Sequence, residues 1–378
     1  MKRSFYVTSN YNLVHNLHTK HYLPAEWMGL LANAAVWTGV DRTGVLEGRI
    51  RYVVRDCDRI PEQIHTKATL EEIVTNRAEY LLKKHKDKNI YLSWSGGIDS
   101  TLALVSLLQA GADKLDNFTI VMEDKSIEEY PLFFNNFIDK KLSYTVHSTN
   151  FRPRMILGDH SVTISGELGD QIMGSSLAVH NYLDYINMPW KETLEKIAFF
   201  PNLKNPRTGI PGLFLLSDEG KKMAMPLLEY YVDQSPIDIK TTYDFLWWLN
   251  FSMKWCILKH ADFTVYYKSN KLTPEEFDSR EPFYDDAELQ RWSMTNPDLK
   301  IKKTEASYKW TFKDLIYKYT KDADYRDHKL KVLSAPSETS LNTSHLNTTT
   351  TRMSVDNNLN LISAAELSKP EILKQFLN

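Results

Sequence analysis

The chain has 378 residues, 42% of them hydrophobic and 25% charged, with 46 basic and 48 acidic side chains and a net charge of −2. That length allows two domains and a sizeable core, and the near-neutral balance argues against a nucleic-acid or anionic-membrane partner. Two distant cysteines, Cys57 and Cys256, make neither a disulfide framework nor a zinc cluster, and no apolar run reaches membrane-spanning length. A cytoplasmic protein is therefore expected.

Residues 1–65 read as a small α+β cap, with strands at Phe5–Thr8 and Gly48–Val54. A helix is well signalled from Thr69: Thr69 and Glu72 form a capping box, and Leu70, Ile73, Val74, Ala78, Leu81 and Leu82 line one face. The apolar run Ile90–Trp94 reads as a buried strand. It leads into Ser95-Gly96-Gly97-Ile98-Asp99-Ser100 and then an apolar helix, Thr101–Ala110, closed by Gly111.

A strand, a glycine turn and a helix start make a phosphate site. The first N–H groups of a helix have no internal partners, and its dipole favours an anion there. Gly96 and Gly97 remove side chains that would hold phosphate oxygens away from the backbone, and Ser95 and Ser100 add hydroxyl donors. Asp99 is the odd member. A carboxylate beside a phosphate repels it unless a cation lies between, so Asp99 implies Mg²⁺.

Further strands are predicted at Phe118–Met122, Ser143–His147 and Ser161–Ile164, with a helix over Ser126–Asp139. Strands alternating with helices argue for a parallel, doubly wound α/β sheet, whose ligands bind at the carboxyl ends of strands. The strand at Ser161 runs into Ser165-Gly166-Glu167-Leu168-Gly169-Asp170-Gln171-Ile172-Met173-Gly174, which repeats the order of strand, glycines, carboxylates and helix. Residues 175–263 read as mostly helical, apart from a Pro/Gly stretch over 201–212. The aromatic run with Trp247, Trp248, Phe251 and Trp255 reads as a core helix. Another helix is predicted over Lys302–Tyr319. From Ser334 to Arg352, 12 of 19 residues are Ser, Thr or Asn, the composition of a flexible linker. Ser368–Leu377 regains a capped, apolar-faced helix suited to docking.

Four pieces in order resemble the synthetase domain of the asparagine synthetases and related β-lactam synthetases, within the ATP pyrophosphatase superfamily. They are Ser95–Ser100; Ser165-Gly166-Glu167 with Asp170 and Gly174; Asp278–Asp285, similar to E-x-R-x-P-F-L-D; and Lys309–Lys313, similar to K-x-x-L-R. Leu168 stands where the family has glycine, Gln171 where it has glutamate, Ser175 where a second glycine is usual, and Lys313 where it has arginine.

The resemblance implies an adenine nucleotide alpha hydrolase-like fold for a synthetase domain over 66–333 with a helical C-terminal part; composition and patterning set beside it a cap over 1–65, a linker over 334–362 and a docking helix over 363–378. It implies ATP and Mg²⁺ as cofactors. A small-molecule carboxylate would attack the α-phosphate, release pyrophosphate, and then form an amide with ammonia or an amine. Ser95, Gly96, Gly97, Ser100 and Gly166 would cradle phosphates, with Ile120 and Met122 at the adenine edge. Asp99 and Asp170 would hold the metal, while Lys309 would face the α-phosphate and Glu167 would take the proton of the incoming amine. Arg280 reads as a structural pairing residue; His147, Arg152 and Arg154 face either substrate or solvent.

The stretch before the first loop is too short for a glutaminase domain, so no glutamine hydrolysis is expected. A separate amidotransferase or subunit would dock through the N-terminal cap or the C-terminal helix. Two other readings stay open from sequence. One is an ATP pyrophosphatase acting on a nucleotide or nucleic-acid base; the other is a nucleotide-binding scaffold without catalysis.

Overall fold

The computed structural model describes residues 4–6, 42–43, 59–147, 160–174, 183–196, 218–253, 255–259, 279–302, 304–330 and 352–354. In chain order the first elements are β1 (Ser4–Tyr6), α1 (Leu70–Lys84), β2 (Asn89–Ser93), α2 (Ile98–Gln109), β3 (Phe118–Glu123) and α3 (Asp124–Glu129). Then come β4 (Tyr144–His147), β5 (Ser161–Ser165), α4 (Gly169–Met173), α5 (Trp190–Lys196), α6 (Asp218–Asp233), α7 (Thr242–Met253) and α8 (Trp255–Lys259). The chain closes with β6 (Arg280–Pro282), α9 (Ala287–Thr295), α10 (Trp310–Thr320), α11 (Ala323–His328) and β7 (Arg352–Ser354). The predicted strand at 48–54, the irregular stretch at 201–212, the C-terminal helix, and Arg152 and Arg154 lie outside the described residues, as does almost all of the predicted linker.

The chain divides into two compact units. One comprises Met1–Ile60, Asp184–Asn270 and Asn342–Asn378; the other comprises Pro61–Leu183 and Lys271–Leu341. The 66–333 span expected as one domain is thus shared between them.

The second unit holds the α/β fold. Its five strands run in the order β4-β3-β2-β5-β6, and every neighbouring pair is parallel. From β2 the chain steps outward through β3 to β4, then returns to place β5 on the other side of β2. The order therefore reverses between β2 and β5. That reversal is the topological switch point at which wound sheets bind ligands.

Local chemistry accounts for the main elements. The Thr69 side chain accepts from the Glu72 N–H, and the Glu72 carboxylate accepts from the Thr69 N–H at 2.7 Å, so both orphan donors at the start of α1 are satisfied. Ile90 and Leu92 of β2 and Val162 and Ile164 of β5 are fully buried, as expected of central strands covered on both faces. Helix α2 is buried on nearly every side and packs against α1 and α10.

Two predicted helices are shorter than their apolar patterns suggested. The one over 126–139 breaks at Tyr130 (φ −145°, ψ 71°), the residue before Pro131, and resumes as a turn at Pro131–Phe133 and a π-helical Phe134–Ile138. Proline denies the preceding residue the helical region. The one over 302–319 starts only at Trp310, because Lys309 adopts φ 57°, ψ 31°. Strand β6, a three-residue edge, was not anticipated; so short a run carries no periodicity to read.

In the first unit β1 and β7 pair antiparallel. Trp247, Trp248, Phe251 and Trp255, on α7 and α8, are at most 1% exposed, so the aromatic run is core, as its helical spacing suggested. Arg42 caps that core, with its guanidinium 4.6 Å from the Trp255 ring centre and its N–H donating to the Phe251 carbonyl. No helix among the described residues is long and apolar enough to cross a membrane.

Candidate functional site

Residues 95–100 leave β2 and open α2. Gly96 has φ +73°, and a Cβ there would lie 2.4 Å from the Ser126 carbonyl oxygen and 2.7 Å from Glu129 Cβ. Glycine is required for both reasons: left-handed backbone, and close packing against α3. The two loop serines face one another. Ser95 Oγ and Ser100 Oγ are 3.0 Å apart, Ser100 Oγ accepts from the Ser95 N–H, and the Ser100 hydroxyl donates to the Gly97 carbonyl. This tight turn ends in Gly97, the extended N-cap of α2, which carries no side-chain cap.

Residues 165–170 leave β5 and lie directly on the first loop. A Cβ on Gly166 would meet the Ser100 backbone nitrogen at 2.7 Å; one on Gly169 would meet the Asp99 carboxylate at 2.5 Å. Both glycines therefore exist to let the second loop touch the first. Between them Leu168 adopts φ 74°, the left-handed conformation that glycine takes most readily. Leu168 thus takes a glycine-type backbone. Its side chain is 1% exposed, and burying it offsets the conformational cost.

Asp99, Asp170 and Lys309 meet at this contact. Lys309 Nζ is 2.5 Å from both Asp99 carboxylate oxygens and 2.5 Å from Asp170 Oδ1. The lysine side chain has no exposed surface, Asp99 is 15% exposed and Asp170 30%. Lys309 is fixed from behind: its N–H donates to the Lys300 carbonyl, and its own carbonyl accepts from Lys313 at the start of α10.

Two tyrosines support the cluster. Tyr308 donates to the Gly174 carbonyl at 2.6 Å and reaches Asp170 Oδ1 at 3.3 Å. Tyr284 donates to the Asp99 carbonyl at 2.8 Å and stacks on Phe312 of α10. Burial, and then the Asp99 carboxylate, push the Tyr284 hydroxyl well above its ordinary pKa, so it remains a donor. The sequence reading missed both tyrosines as site residues, although each adjoins a motif: Tyr284 sits within Asp278–Asp285 and Tyr308 immediately precedes Lys309.

The other predicted residues fall as follows. Glu167 is half-buried on the second loop, its N–H reaching Ser165 Oγ at 3.4 Å. Ile120 and Met122 are fully buried in β3, between β2 and β4, and present no exposed side-chain surface. Lys313 is buried and donates to the carbonyls of Ala306 and Lys329, so it ties the Glu305–Ser307 turn to the end of α11. Burial lowers its pKa to about 8.

The third motif also serves as a fastening. Glu281 on β6 accepts from Arg77, midway along α1, at 3.2 Å and from Lys84 at 2.6 Å, and lies 2.9 Å from His85 Nε2 at the end of α1; Arg77 also donates to the Pro282 and Phe283 carbonyls. Burial works against the Glu281 charge, but His85, Lys84 and Arg77 outweigh it and hold its pKa at about 2.

Two converging carboxylates suit Mg²⁺, which takes hard oxygen ligands, usually one or two carboxylates together with substrate phosphates. No cluster of three or more Asp, Glu, His or Cys side chains suited to a metal occurs among the described residues. A metal here would thus be held by Asp99, Asp170 and its ligand's oxygens. Comparisons with protein-family models, with curated proteins and with solved structures return no match.

Proposed function

We propose that the chain is an asparagine synthetase-like, AMP-forming ligase with an adenine nucleotide alpha hydrolase-like fold. The observation that carries this reading is the convergence of Asp99, Asp170 and Lys309 where the β2 and β5 loops touch. Three motifs separated by up to 210 residues in sequence contribute one residue each. An arrangement that serves the core alone has no use for it, because burying two carboxylates and an ammonium costs more desolvation than their attraction reliably returns.

In this reading, backbone N–H groups of Gly97, Ile98 and Asp99 at the start of α2 receive the leaving pyrophosphate, and the Ser95 and Ser100 hydroxyls turn from one another toward it. Lys309 supplies positive charge to the α-phosphate as a substrate carboxylate attacks it, where negative charge accumulates in the transition state. Glu167 accepts the proton of ammonia or an amine as the amide forms and AMP departs. Mg²⁺, held by Asp99 and Asp170, would neutralise the pyrophosphate oxygens.

The test is product analysis. The purified chain is incubated with ATP, Mg²⁺, ammonium and a panel of carboxylic acids, and nucleotides and pyrophosphate are quantified. AMP and pyrophosphate in equal amounts are expected. ADP and phosphate would overturn the mechanism, and nucleotide binding without turnover would leave a scaffold.

A further inference from the structure

The position of Lys309 bears on how a divalent cation enters. Its ammonium lies 2.5 Å from Asp99 Oδ2 and 2.5 Å from Asp170 Oδ1, which is where a cation bridging these carboxylates has to sit. The Tyr308 ring encloses it from another side, with its centre 5.4 Å from Nζ. The backbone gives the ammonium little freedom to retreat: Lys309 is left-handed (φ 57°), hydrogen-bonded to Lys300, and leads into a helix packed on α2. Left-handed backbone at a non-glycine residue is uncommon and costs free energy that surrounding contacts must offset. That cost here aims a single positive charge at two carboxylates.

We propose that Lys309 is a resident counter-ion that competes with a divalent cation for the Asp99–Asp170 pair, so that the protein without nucleotide binds the metal weakly and only by displacing the ammonium. The inference rests on the ligase reading, since it presumes that these carboxylates receive Mg²⁺ at all. The physical basis is direct. A divalent ion approaching the pair meets a like charge already in place and an occupied volume. A phosphate ligand changes this balance, because its oxygens offer the ammonium another anion and offer the metal further donors. Metal and nucleotide then favour each other's entry, and free Mg²⁺ ahead of the nucleotide has to compete with the ammonium.

The experiment uses Mn²⁺ alone, without nucleotide, followed by electron paramagnetic resonance of the free ion. Wild type, Lys309→Met and Lys309→Met/Asp170→Asn are titrated in parallel, with folding checked by circular dichroism. Lys309→Met is expected to bind one Mn²⁺ about tenfold more tightly than wild type or better, the scale of removing one adjacent like charge. The double variant should lose that gain. Equal affinities for wild type and Lys309→Met, or a gain that survives Asp170→Asn, would overturn the proposal.

Lys309→Met leaves two carboxylates without their cation and is at risk of not folding. In that event the measurement moves to wild type, with acetylation of Lys309 by an amine-reactive reagent followed by mass spectrometry. Acetylation that rises with Mn²⁺ at Lys309 and not at Lys313 supports displacement; a rate independent of Mn²⁺ overturns it. Failure of the ligase reading is seen separately, as absent AMP formation, because neither measurement contains nucleotide.

Discussion

Gly96 in the loop after β2 has φ +73°, and Leu168 in the loop after β5 has φ +74°. The two loops share a plan, with a strand, a left-handed residue, a carboxylate that reaches Lys309, and a helix. They meet the left-handed requirement differently. At Gly96 nothing but hydrogen fits, because a Cβ would strike the backbone of Ser126. At Leu168 the side chain has a buried place to go, so a conformational cost of roughly 1–2 kcal/mol is offset by burial of a leucine, about 1.5–3 kcal/mol. A departure from a glycine pattern is therefore informative only with the space around it: the same backbone is obligatory glycine in one loop and tolerates leucine in the other.

The largest effect is expected where the comparison is most rigid. Gly96→Ala adds a left-handed alanine and an overlap with backbone that has no rotamer to yield. Together these should cost roughly 2–5 kcal/mol. Urea unfolding measures it; a loss below about 1 kcal/mol would mean that the loop relaxes away from α3 easily.

The outer edges of the two loops differ as well. On the β3 side the loop rests on α3 through Ser126 and Glu129, whereas on the β5 side the neighbouring strand β6 is fastened to α1 by Glu281 and three basic partners. The ordinary pKa of this carboxylate is 4.5 and its folded value about 2. A lowered folded pKa means that the clamp contributes fully above pH ~4.5 and is lost as pH falls toward 2. Glu281→Gln should thus cost on the order of 3 kcal/mol near neutral pH, and its stability should match wild type near pH 2. Urea midpoints across that range decide it. Parallel curves for variant and wild type would show that Glu281 is not the titrating group.

Gly169→Ala sharpens the contact between the loops. The added methyl meets the Asp99 carboxylate at 2.5 Å and its Cβ at 2.9 Å and no backbone atom nearer than these, so rotation of the carboxylate relieves the closest overlaps and a small shift of Asp99 relieves the rest. A cost of about 1–3 kcal/mol is expected, with the fold retained. The variant should also free Lys309 for acetylation, which an unaltered ion pair would not.

Much of this arrangement was legible in the chain. The loop plan was readable because strands, glycines and carboxylates recur in order, and Asp99, Asp170 and Lys309 were singled out although 138 residues separate Tyr308 from Asp170 in the supporting contact. What the sequence could not show were distance-dependent facts. Lys309 occupies the space between the two carboxylates, a relation among three side chains that no spacing encodes. Tyr284 and Tyr308 read as ordinary aromatics until their hydroxyls are seen on Asp99 and Asp170. Strand β6 and the clamp at Glu281 depend on α1 arriving beside residues some 200 positions later. The predicted helix over 302–319 failed at Lys309 for a related reason: apolar periodicity continued through a residue whose backbone is set by tertiary contacts.

The smallest effect tests the comparison most sharply, through its sign. Leu168→Ala and Leu168→Gly remove nearly the same buried volume, so the cavity term is common to both and cancels in their difference. What remains is the backbone. In a strand or helix glycine is less stable than alanine by roughly 0.5–1 kcal/mol, because the unfolded chain loses more freedom. At φ +74° the order should reverse, since alanine bears a left-handed cost of about 1–2 kcal/mol that glycine does not. Leu168→Gly is therefore expected to be more stable than Leu168→Ala by about 1 kcal/mol or slightly less. The pair is compared by urea midpoint under one set of conditions, with Gly96→Ala as the reference for a left-handed site that also lacks space. If alanine proves the more stable at 168, the backbone there is not left-handed in solution, and the two loops do not share a plan.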